Sequence, residues 1–218
     1  MNFFGHATVA SWARQPTPAF VIGAMLPDFA TISGARSLRA THPEATRGVA
    51  LHHATDAVFH LAPDFLVLTN LVKGRLEREG VSHGGARAAA HVGIELVLDG
   101  TLVADARAGE LYVRALDDAE AHITCAVDDD VERLSGFLGR VRRAGIPFAY
   151  TDPRTVATRV ERVLSSRPLL AVGEGHADLL ADVFTEIAAE VRSRADNLLA
   201  HVRRGLSPAL LTNVAPAP

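Results

Sequence analysis

The chain has 218 residues, of which 48% are hydrophobic and 22% charged, with a formal net charge of -3. That length suffices for one domain with a sizeable core, and the faintly acidic balance argues against a nucleic-acid-binding surface, which needs a basic excess. One cysteine, Cys125, excludes an internal disulfide and a thiolate-rich metal site, as suits a reducing cytoplasm.

The most apolar early stretch, Ala19 to Leu26, is too short to span a bilayer, and the N-terminus does not read as a charged leader with an apolar region and cleavage site. A soluble cytoplasmic protein is therefore expected. Helical periodicity dominates the whole chain and predicts an all-α bundle, with helices at about 3–14, 18–28, 44–60, 63–79, 84–105, 108–123, 128–144, 153–165 and 174–204. Pro16 and Pro18 separate the first two helices, and Thr31–Pro43, with Gly34, reads as a loop. Pro63 suits a helix start with Asp64 near its positive end, and Gly80 with Gly84-Gly85 brackets a turn. Asp152-Pro153 reads as an N-cap followed by a first-turn proline. Arg167–Gly175 is the expected hinge before the last helix, which packs on a single domain spanning 1–212, and residues 213–218 form an expected disordered tail.

Seven of the ten histidines lie in the first 91 residues. His52, Asp56 and His60 are spaced i, i+4, i+8, which on a helix makes one drifting stripe. An i, i+4 ligand pair can converge on a single metal ion; the competing reading is an exposed polar face with intrahelical pairs. His91, Glu95 and Asp99 repeat the spacing on a helix that is apolar on nearly every other side. Acids there are costly unless they are paired or bound to metal, and an arginine partner is the structural alternative. Asp28, in GAMLPDF, and His6, in MNFFGHA, are polar groups in apolar surroundings that fit as further ligands.

The expected metal ligands are thus His6, Asp28, His52, Asp56, His60, His91 and Glu95. Asp56, His53 and Asp99 are the expected catalytic groups. Mixed nitrogen and oxygen donors favour one or two ions of Mn, Fe or Zn, which would activate water and polarise a phosphoryl oxygen. Arg47 and Arg167 are candidate phosphate contacts. Cys125 is expected in the core, and His42, His83, His122, His176 and His201 are assigned no ligand role. The chain has no P-loop, G-x-G-x-x-G, G-x-S-x-G or H-E-x-x-H motif.

Several short motifs, correctly ordered, resemble the acyl-carrier-protein phosphodiesterase family, a branch of the HD-type metal phosphohydrolases. They are MNFFGHATVA, GAMLPDF, GVALHHATDAVFHLAPDF, GIELVLDGTL, and Tyr150 followed by VATRVERVLSSRP. The resemblance covers residues 1 to about 170 and implies an HD-like helical fold. It also implies metal-binding or catalytic roles for His6, Asp28, His52, Asp56, Glu95 and Asp99, and release of 4'-phosphopantetheine from holo-acyl carrier protein. This chain has His60 where the family has a second aspartate, His53 in place of an arginine, and Gly100 in place of a histidine. It contains no His-Asp dipeptide. The order His6, Asp28, His52, Asp56, His60, His91, Glu95 is also similar to the ligand order of zinc-dependent phospholipase C proteins. A non-catalytic helical scaffold with a degenerate metal site is the rival from another class.

Overall fold

A computed structural model describes residues 1–173 and 176–212. The chain is all-α, with ten α-helices and one two-stranded sheet among the described residues. The helices are α1 (Phe3–Ser11), α2 (Pro18–Ser33), α3 (Pro43–Phe59), α4 (Pro63–Arg78) and α5 (His83–Leu102). They continue with α6 (Ala106–Asp117), α7 (Asp128–Ala144), α8 (Pro153–Ser165), α9 (Ala177–Gly205) and α10 (Pro208–Leu211). No described helix is long and apolar enough to cross a membrane.

The contacts divide into two compact units. The first comprises Met1–Val58, Leu102–Pro147 and the chain from Arg203 onward. All nine residues of α1 are buried, because its sequence FFGHATVAS is apolar around the whole circumference. Its hydroxyls satisfy themselves locally: Thr8 Oγ1 donates to the Phe4 carbonyl at 3.0 Å and Ser11 Oγ to the Thr8 carbonyl at 2.6 Å. Helix α2 begins at Pro18, with the Thr17 hydroxyl accepting from Phe20 N at 3.1 Å.

The expected end of α2 at residue 28 is too early. Pro27 removes the hydrogen bond to the Gly23 carbonyl, yet the helix continues to Ser33 and stops at Gly34, whose φ is +76°. Helices α2 and α3 cross very closely at two glycines. A Cβ on Gly23 would lie 2.0 Å from the Ala45 carbonyl oxygen, and one on Gly48 would lie 2.2 Å from that of Phe20.

Part of the predicted Thr31–Pro43 loop is strand β1 (Leu38–Ala40), paired antiparallel with β2 (Ile123–Cys125), so that Leu38 faces Cys125 and Ala40 faces Ile123. Segments of three residues are too short to show alternation in a sequence. Ser37 fixes the far end, its Oγ accepting from Ala126 N and Val127 N while its own N–H donates to Asp130 Oδ2 at 2.7 Å. Cys125 is half-buried beside this pairing rather than sunk in the core.

The second unit comprises Phe59–Thr101 and Phe148–Val202. Pro63 and Asp64 open α4, and Asp64 accepts from Arg194 Nη1 of α9 at 2.6 Å. Asp152 caps α8 through Arg154 N at 3.0 Å. Gly93 brings α5 against the Phe184 ring of α9; a Cβ there would lie 2.1 Å from ring carbons. The expected hinge becomes a turn, with Leu170 N and Ala171 N donating to the Arg167 carbonyl. Its last two residues, and the tail 213–218, lie outside the described residues.

Candidate functional site

The predicted ligands gather into two trios. His6, His52 and Asp56 form one and His60, His91 and Glu95 the other, each with donor atoms all within 4.8 Å of one another. The first lies in the first unit and the second in the second unit.

In the first trio, α1 supplies His6 and α3 supplies His52 and Asp56 one turn apart. The His6 and His52 rings stack at 3.8 Å between centroids. His6 Nε2 stands 3.2 Å from Asp56 Oδ1, and His52 Nε2 stands 3.4 Å from Oδ2. The close α2–α3 crossing sets the tautomer of His52. It brings the Ala24 carbonyl 2.9 Å from His52 Nδ1, and a carbonyl only accepts, so Nδ1 carries a proton. In the neutral ring Nε2 then offers its lone pair toward the carboxylate. A backbone carbonyl holding the second ring nitrogen is the usual support of a metal-ligating histidine. The Met1 amino group also donates to Asp56 Oδ1, at 2.9 Å.

The electrostatics follow from burial around one acid. Burial pushes the His6 pKa down to about 3, outweighing the opposing pull of the nearby Asp56 carboxylate, so the ring is neutral near pH 7. It approaches Asp56 in distance but is poorly aligned, leaving both ring nitrogens without a well-formed hydrogen bond. Burial would also lower His52, but the Asp56 hydrogen bond and the negative charges of Asp28 and Asp56 outweigh it and raise the pKa. Burial would raise Asp56; the close approach of His52 and His6, together with the Met1 ammonium, holds it far below the usual carboxylate range. The pocket therefore draws positive charge.

In the second trio, His60 Nε2 and His91 Nε2 each stand 3.1 Å from the same oxygen, Glu95 Oε1. The two rings are 4.8 Å apart, and the Phe65 ring lies 5.4 Å from each. Burial would raise the Glu95 carboxyl, but nearby positive charge and the bonds from His60 and His91 keep it well below its ordinary value.

Both trios have the donor types and spacing that could hold a metal ion. Four ligands about 2.1 Å from an ion in tetrahedral array stand roughly 3.4 Å from one another. The nitrogen–oxygen separations of 3.1 to 3.4 Å match that within a few tenths of an ångström.

The other predicted residues fall elsewhere. Asp28 reaches the first trio through its charge on His52. His53 is exposed, its ring edge-on to His52 at 5.4 Å. Asp99 is fully buried and joins neither trio; its charge acts on Tyr150, raising a pKa that the Arg159 charge opposes. Two steps of four residues turn a helix by roughly 80°, so the i+8 member leaves the face shared by the first two. The Arg47 guanidinium is already committed to Glu44, to the Thr212 carbonyl and to the face of Phe20. Arg167 is exposed in the turn after α8. Sequence reasoning missed the Ala24 carbonyl, the Phe65 wall and the Arg159–Tyr150 partnership. Gly23 and Gly48 were the available signal for the first; the other two had none.

In comparisons with known proteins the chain matches no family model, no curated protein and no solved structure.

Proposed function

We propose that the protein is a metal-dependent phosphoester hydrolase whose two histidine–carboxylate trios hold divalent ions of the Mn, Fe or Zn class. The observation that carries this reading is His52, with its Nδ1 proton anchored on the Ala24 carbonyl and Nε2 directed at Asp56 beside a buried, neutral His6. The Met1 ammonium gives Asp56 one positive partner, but both buried ring nitrogens of His6 are left without a hydrogen bond, a cost that a bound cation would relieve.

A divalent ion there would supply Lewis acidity toward a phosphoryl oxygen and ease deprotonation of water. His6 and His52 bind through nitrogen, while Asp56 and Glu95 neutralise the added charge. His53, exposed beside His52, would take or return a proton at its ring nitrogen. Two substrate classes come with the sequence resemblances: the phosphopantetheine diester of a holo-acyl carrier protein, and a phospholipase-C-type diester.

A second reading, a helical scaffold without turnover, is favoured by the direct His60–Glu95 hydrogen bond at 3.1 Å, which satisfies that acid with no ion. Hydrolysis of bis-p-nitrophenyl phosphate separates the two. The enzyme reading expects turnover with Zn2+ or Mn2+ that falls by at least roughly 100-fold in Asp56→Ala, with helical content retained. Equal turnover in Asp56→Ala contradicts it.

A further inference from the structure

We propose that the two trios, taken as the cation sites described above, exchange their ions at very different rates. His6, His52 and Asp56 retain an ion, while His60, His91 and Glu95 trade theirs with free ions. Hydrolysis then follows the divalent-ion concentration around the protein.

The difference lies in exposure and support. The side chains of His6 and His52 are 1% and 5% exposed, and only the Asp56 carboxylate, at 30%, meets solvent. His6 projects from a helix buried on every side, and the His52 ring is pinned by the Ala24 carbonyl. An ion leaving that trio must part from two imidazoles that have nowhere to swing.

In the second trio the exposure is reversed. His60 and His91 are 34% and 44% exposed while Glu95 is 13% exposed. Water reaches both imidazoles, and among the described residues no backbone carbonyl holds the His91 ring. Second-sphere support of this kind is worth about 10- to 100-fold in metal retention.

The full chain is loaded with Zn2+, desalted, and mixed with a chromogenic chelator in excess, and release is followed with time. Two phases are expected, each of about one ion per chain, with rates differing by at least roughly 10-fold. His91→Ala should remove the fast phase and leave the slow one, whereas His52→Gln should remove the slow phase. If His52→Gln does not fold, the half-exposed His91→Ala decides alone. Release of both ions in one phase, or loss of the slow phase in His91→Ala, overturns the inference while leaving the hydrolase reading intact. A desalted chain that holds no Zn2+ overturns both. Phosphodiester turnover after a brief chelator pulse should fall with the fast phase and return when free Zn2+ is restored; turnover indifferent to that phase contradicts the regulatory part.

Discussion

Helices α3 and α5 carry the same spacing, a histidine followed four residues later by an acid and eight residues later by another polar group, yet they use it differently. On α3 the histidine is buried and its third partner comes from α1, while on α5 the histidine faces solvent and its partner, His60, comes from the turn after α3. In both, the i, i+4 pair holds and the i+8 residue departs. The spacing therefore brings two side chains of each trio together, and tertiary packing supplies the third.

The sharpest way to break the contrast is at the crossing that supports only the buried trio. Gly48→Val would force a side chain onto the Phe20 carbonyl and push α2 from α3, carrying the Ala24 carbonyl away from His52. A loss of about 3 kcal/mol in urea unfolding is expected, with faster release of the slow ion. Stability equal to wild type would show that the crossing is not tight. Asp99→Ala tests the residue that left its stripe. Removing a fully buried acid whose charge acts on Tyr150 should cost about 2 kcal/mol, with bound Zn2+ unchanged. A drop in metal content would return Asp99 to the ligand set.

A further contrast lies in the pH dependence of chelator-treated protein. The folded His6 pKa lies near 3 against an ordinary 6.5, so between these values the unfolded chain binds a proton that the folded one refuses, and stability falls as pH drops. His52 is raised, so its contribution is complete below 6.5 and is lost as pH rises through its folded value. Stability should peak near pH 6.5, with a shallower decline between 6.5 and 4 in His6→Gln. An identical decline in that variant would contradict the assignment.

Much of the helical architecture was legible in the sequence because its helices announce their own ends. Pro18, Pro63 and Pro153 open helices, Gly34 and Gly80 close turns, and α7 and α8 run over the predicted ranges. The extension of α2 past Pro27 was not, since one missing hydrogen bond there is outweighed by burial of Met25, Leu26 and Phe29. The residue types that make up the trios were legible too, because histidines and acids stood out against apolar surroundings. Their division into two groups was hidden. It depends on which element each His and Asp meets, and His6 and His60 have no local pattern that names their partners.

Elemental analysis of the purified chain beside Asp56→Ala and Glu95→Gln asks whether the two trios bind cations. Two trios that bind cations predict near-stoichiometric transition metal in the wild type and loss of one ion in each variant. A wild-type chain free of metal after growth and purification in Zn2+-supplemented medium, with both variants indistinguishable from it, would contradict the account.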